Sequence, residues 1–95
     1  RERRDRVVET LRARGWSVPC PEMAMYLWFP LPDAAQRRGW SDEDAARELL
    51  QRSGVALTPG SGFGGGGRQW LRMALVRPVN ELVDAAERLA DAMDD

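Results

Sequence analysis

One arginine and one glycine run are the residues best able to do chemistry. Arg72 falls in Gln69 to Val76, a stretch that reads as a strand whose side chains alternate between two faces. Gln69, Leu71, Met73 and Leu75 take one face. Trp70, Arg72, Ala74 and Val76 take the other, so Arg72 is flanked on its own face by apolar neighbours. Three accounts of it stand side by side. It can snorkel at a strand edge. It can pair with a carboxylate of this chain. It can also hold the carboxylate of a ligand through two parallel hydrogen bonds, a task suited to the planar guanidinium.

Upstream, Gly60-Ser61-Gly62-Phe63-Gly64-Gly65 matches G-x-G-x-x-G. A dinucleotide site also needs the third glycine to open a helix whose N-terminus holds the pyrophosphate. Here the loop runs on through Gly67 into a strand, which argues against nucleotide binding. The stretch reads instead as a mobile loop between antiparallel strands, its glycines supplying positive φ angles. A loop whose backbone approaches a ligand closely is the other reading.

Other chemistry is weaker. Asp42, Glu43, Asp44, Glu81, Asp84 and Glu87 fall in helical first turns or on polar faces, which suits the helix dipole. Paired acid–base catalysis needs two carboxylates in one cleft with separated pKa values, and nothing in the pattern places such a pair. Trp16, Trp28, Trp40 and Trp70 lack the interleaved basic residues of a base-stacking platform and read as packing residues. Cys20, between two prolines, reads as an inert thiol.

All fourteen positive residues are arginines; there is no lysine and no histidine. That removes a lysine Schiff base, a histidine general base and a histidine-ligated metal. A single cysteine excludes an internal disulfide and a multi-cysteine metal site, and fits a reducing, cytoplasmic compartment. A net charge of −1 gives no basic footprint for nucleic acid or membrane. The longest apolar run, Met23 to Leu31, contains Pro30 and is too short to span a bilayer. No signal peptide is visible. Ninety-five residues make one small domain. The opening Arg1-Glu2-Arg3-Arg4 has no cap and sets arginines against the helix dipole, so the chain is expected to begin inside a helix of something longer.

The elements that must position Arg72 follow from periodicity. Residues 1–14 carry Val7, Val8 and Leu11 at helical spacing, with Gly15 as a stop. Met25 to Phe29 reads as an aromatic-rich central strand, covered on both faces. Asp33 to Trp40 is a loop or short helical turn. Ser41 caps a helix buried along Ala45, Ala46, Leu49 and Leu50 and closed by Gly54; Asp44 stands where a capping box prefers Glu or Gln, so the box is imperfect. Val55 to Thr58 is a short strand. A last helix follows Pro78, with Asn80 as cap and Leu82, Ala85, Ala86, Leu89 and Met93 as its apolar stripe; Asp91, Asp94 and Asp95 form a frayed end. The predicted fold is an α/β (α+β) two-layer sandwich, split βαβ-like. It has a three-stranded, mainly antiparallel sheet and three helices, with the Arg72 strand between or beside the other two.

Gly54 to Gly64, followed by Trp70-Leu71-Arg72-Met73-Ala74-Leu75, resembles the C-terminal segment of class I/II (fold type I) pyridoxal-phosphate aminotransferases. That family has a strand, a Pro-Gly-Ser-x-Phe-Gly turn and a strand of the form aromatic-aliphatic-Arg-aliphatic. Pro21 to Trp28 is similar to the family's Pro-x-x-x-aromatic-Tyr-aliphatic-Trp strand, with Met25 in place of the usual aromatic. Ser41 to Leu50 is similar to the helix before the turn. Gly64 to Gly67 is looser than the family's proline-containing turn.

The resemblance implies that residues 1–95 are the small C-terminal domain of such an enzyme. It puts the substrate α-carboxylate on Arg72, has Phe63 and Gly62 line the substrate entrance, and makes the domain a mobile lid over the active site. The pyridoxal 5'-phosphate and its lysine belong to an absent large domain. The chain itself is then expected to hold no cofactor and no metal, and to be inactive alone. Amino acids and 2-oxo acids are the implied substrates and a homodimer the implied assembly, with no nucleic acid or membrane partner. The reading of another class is a free-standing module that binds a small carboxylate without catalysis.

Overall fold

Each helix starts and stops at a local signal. The computed structural model describes residues 2–19, 26–63 and 65–93. Helix α1 spans Glu2–Ala13 and buries Val7, Val8 and Leu11. It ends at Gly15, whose φ of 88° is one that glycine adopts without a Cβ penalty. Helix α2, Asp33–Arg37, is short and makes a fourth helix beyond the three expected.

Helix α3 spans Asp42–Ser53. The Asp44 amide donates to Ser41 Oγ at 3.0 Å and the Ser41 amide donates to Asp44 Oδ2 at 3.1 Å. The box expected to be imperfect is therefore complete, because the shorter aspartate still reaches. Gly54 closes the helix at φ 77°. Ala45, Ala46 and Leu49 are buried, but Leu50 is 48% exposed. One residue on from Leu49 is about 100° round the helix, which carries Leu50 off the narrow buried stripe.

Helix α4, Val79–Met93, begins before Asn80, so Asn80 lies within its first turn and is not the cap. Leu82, Ala86, Leu89, Ala90 and Met93 are its buried residues. Asp91, expected in a frayed end, instead joins Glu87 in accepting from Arg14, each at 2.8 Å. This fastens the end of α1 to α4. Asp94 and Asp95 lie outside the described residues.

Strands β1 (Tyr26–Pro30), β2 (Thr58–Pro59) and β3 (Trp70–Ala74) form one sheet in the order β1-β3-β2. β3 runs antiparallel to both neighbours. β3 is shorter than its apolar stretch suggests, and β2 shares only Thr58 with the strand expected over Val55 to Thr58 and runs on into Pro59. β1 is an edge strand, not the covered central strand expected. Only Leu27 and Phe29 of it are buried, while Tyr26, Trp28 and Pro30 face the other way. β3 takes the centre because both its edges are paired.

Leu27, Phe29, Leu71, Met73 and Leu75 join Val7, Leu11, Leu49 and Leu89 in one core between sheet and helices. Trp16 meets Phe29 edge-on with ring centroids 5.6 Å apart. Each such side chain contributes about 1.5–3 kcal/mol on burial. The result is a two-layer α+β sandwich. Cys20 and the segment 21–25, including Met25, lie outside the described residues.

Candidate functional site

The alternation along β3 puts Leu71 and Met73 into the core and turns Arg72 to the opposite, open face of the sheet. Trp28 of β1 lies directly across from Arg72 on one side and Thr58 of β2 on the other. The arginine is thus at the middle of a three-stranded surface, not at an edge where snorkelling would apply. Its face is also less apolar than the alternation suggests: Trp70 is half-buried, and Ala74 and Val76 are exposed.

Two rings hold the guanidinium. Its central carbon lies 4.1 Å from the Tyr26 ring centroid and 4.5 Å from that of Phe63. Such cation–π contacts stabilise by about 0.5–1 kcal/mol at exposed sites. Phe63 in turn meets Trp28 edge-on at 5.4 Å, with planes inclined by 77°. Among the described residues, the Arg72 side chain has no ion pair with a carboxylate and donates no hydrogen bond. Its guanidinium N–H groups are therefore not committed to any of the described residues.

Phe63 arrives on a loop of two 3-10 turns, Gly60–Phe63 and Gly65–Gly67. Gly60, Gly62, Gly66 and Gly67 do not adopt positive φ; the positive φ in this region is that of Gln69, at 66°. The expected reason for the glycines is thus corrected for these four. Gly60 and Gly67 meet backbone to backbone, and a Cβ built on either would land on the other's carbonyl oxygen. Close approach, not handedness, demands glycine there. Gly62 is exposed, with nothing within 4 Å of an added Cβ. Of the residues expected at the site, Arg72 and Phe63 meet, and Gly62 precedes Phe63 with open space where a side chain would stand.

Two residues of the site are not singled out by the sequence. Tyr26 reads there as part of a strand motif only, although it shares a face with Trp28 by its spacing of two. Asp42 reads there as a complement to the helix dipole. It is 5% exposed, and its Oδ2 accepts from the Ser61 amide at 2.7 Å. Burial pushes its carboxyl up. Hydrogen bonds from the Ser61 amide and hydroxyl, and from the amides of Asp42 and Gln69, outweigh burial and hold it below the usual carboxylate value. No local spacing signals a bond between residues 42 and 61. Asp44 is lowered too, first by the Ser41 amide and then by Arg47.

Among the described residues, no group of three or more His, Cys, Asp or Glu is arranged to hold a metal. Also among them, no helix is long and apolar enough to cross a membrane. A cavity of about 600 Å³ lies apart from Arg72, between Gly54, Val55, Met73, Val76 and Arg88.

Comparison with known proteins places this geometry in a family. The family model for class I and II aminotransferases matches residues 1–89. The LL-diaminopimelate aminotransferase of Desulforudis audaxviator is 40% identical over 89 residues, covering 94% of this chain and 21% of that protein. That of Dehalococcoides mccartyi is 38% identical over 89 residues, covering 94% and 22%. A solved structure, a probable N-succinyldiaminopimelate aminotransferase from Thermus thermophilus, superimposes with a TM-score of 0.81 at 43% identity, over 96% of this chain and 23% of its own. The chain therefore spans about a fifth of the length of the curated relatives it matches. With residues 1–89 matched by the family model, the chain belongs to the class I and II aminotransferases.

Proposed function

We propose that the chain is the small C-terminal domain of a pyridoxal-phosphate-dependent aminotransferase, and that Arg72 receives the α-carboxylate of its amino-acid and 2-oxo-acid substrates. One observation carries the reading. A guanidinium stands at the centre of an open sheet face, clasped by Tyr26 and Phe63, with no carboxylate of the described residues to neutralise it. A planar fork offers two parallel charge-assisted hydrogen bonds to one carboxylate. Docking in that single orientation fixes the substrate's Cα, and positioning of this kind is worth several powers of ten in rate.

Phe63 and Gly62 form the rim of the same face. In this reading the domain closes over the substrate as a lid, excludes water and strengthens the carboxylate pair. The names of the relatives put diaminopimelate-type amino acids first among the substrates to assay. The full-length protein acts as a homodimer in the cytoplasm.

The chain's own residues do not fit the family's cofactor. It has no lysine to carry the cofactor. The described side chains around Arg72 are aromatic, not a set of phosphate-binding donors. Its part is confined to the substrate: binding the carboxylate, orienting it and shielding it from water.

Substitution of Arg72 in the full-length enzyme tests this. Removing one partner of a buried ion pair costs about 3–5 kcal/mol. Arg72→Ala is expected to lower kcat/KM by roughly two to four powers of ten. An Arg72→Ala enzyme that keeps its fold and turns over amino acids within about tenfold of the parent would exclude the reading.

A further inference from the structure

We propose that Asp42 is a positioning residue: its buried carboxylate clasps the glycine loop at Ser61 and so holds Phe63 against the Arg72 guanidinium. For its effect on substrate this rests on the reading of Arg72 as carboxylate anchor. For its effect on the loop it does not.

Asp42 is fixed at its own end. It opens α3, whose first turn is locked by the Ser41–Asp44 box and whose Ala45, Ala46 and Leu49 sit in the core. At the other end, Ser61 and Phe63 belong to the same 3-10 turn, Gly60–Phe63. Holding the Ser61 amide therefore holds the turn that carries the Phe63 ring. That ring lies 4.5 Å from the Arg72 guanidinium carbon and edge-on to Trp28. Among the described residues, the Ser61–Asp42 bond of 2.7 Å is the hydrogen bond that ties this turn to the helix layer.

A dipole role alone does not account for Asp42. An acid that only complements a helix N-terminus does so from the solvent, as its exposed neighbour Glu43 can. Burying a carboxylate is unfavourable unless hydrogen bonds compensate it. Here the compensating bond comes from the Ser61 amide, at the near end of the loop. The carboxylate thus holds the loop one residue beyond Gly60, whose backbone meets that of Gly67.

The test uses Asp42→Ala, Asp42→Asn and, as a surface control, Glu43→Ala in the full-length protein. Hydrogen exchange is followed in residues 60–69 and in α4, alongside steady-state kinetics. A charge-assisted hydrogen bond is worth about tenfold or more. Asp42→Ala is expected to speed exchange in the loop by roughly tenfold while α4 is unchanged. Its KM for the amino acid is expected to rise roughly tenfold with kcat within about threefold. Asp42→Asn keeps a neutral acceptor and falls between parent and Ala. Glu43→Ala matches the parent.

Parent-like loop exchange in Asp42→Ala overturns the proposal, whatever Arg72→Ala does. If Asp42→Ala does not fold, parent-like exchange in Asp42→Asn overturns it equally. A loosened loop with unchanged KM, in an enzyme where Arg72→Ala does raise KM, also overturns it. A loosened loop with both KM values unchanged leaves the clasp standing and removes Arg72 as the anchor.

Discussion

Arg72→Lys separates the fork from the charge. Lysine keeps the positive charge on the open face but presents a point donor in place of a plane. The described structure supplies no acceptor for the Arg72 side chain, so on the proposed reading both of its hydrogen bonds are donated to the ligand's carboxylate. Losing the second of them costs about 1.5–3 kcal/mol, as for hydrogen bonds to charged groups. The contacts at 4.1 and 4.5 Å with Tyr26 and Phe63 also hold the plane of the guanidinium. Those rings are 41% and 53% exposed, so weakening the stack adds only about 0.5 kcal/mol. The total, about 2–3.5 kcal/mol, corresponds to a loss of roughly 30- to 400-fold in kcat/KM. Among the described residues Arg72 has no ion pair to lose, so the melting temperature should barely move. The assay is kcat/KM for amino acids in the full-length enzyme, with thermal melting beside it. An Arg72→Lys enzyme within about threefold of the parent would refute the reasoning, since the planar fork would then be dispensable.

Two further outcomes follow from the loop and its clasp. Gly60→Ala places a Cβ on the carbonyl oxygen of Gly67, where only backbone can yield, and should destabilise by about 1–3 kcal/mol in denaturant unfolding. Gly62→Ala, with open space around it, should unfold like the parent; equal effects at the two positions would contradict the pinched neck. Asp42 and Asp44 both lie below the ordinary carboxylate value of 3.8. A depressed folded pKa gives stability that is present above 3.8 and lost as pH falls through the lowered value. The stability gap between parent and Asp42→Asn should therefore be full near about pH 6 and close in acid; a gap that persists down to about pH 2 would show that the Asp42 charge is not the cause.

Local pattern makes much of this fold legible. The two faces of β3 follow from alternation alone, as do α3 with its serine cap and the glycine stops at Gly15 and Gly54. What escapes depends on partners distant in sequence. The aromatic run of β1 signals apolar surroundings on both sides, yet Tyr26 and Trp28 find them in Arg72 and Phe63 on an open face, not in a second helix layer. The glycine loop signals flexible backbone, but periodicity does not encode that Gly60 must lie against Gly67. An aspartate in a first turn has a sufficient local explanation in the dipole, which masks the bond from Asp42 to Ser61. Arg72 itself is visible in the sequence as an oddity. Its being unpaired within the described chain becomes visible only with the sheet assembled.

The near-contact of Gly60 with Gly67 has a consequence for how this surface can vary. The pairing of Thr58 with Arg72 and of Pro59 with Leu71 is set below the neck, so the sheet is indifferent to what happens between Phe63 and Gly67. Residues inserted or deleted there change the loop's closure entropy only slowly, by about 0.6 kcal/mol for each doubling of length. Such changes reshape the surface beside Arg72 and leave the arginine where it is. The surface beside Arg72 and the strand pairing that positions Arg72 can then change independently of one another.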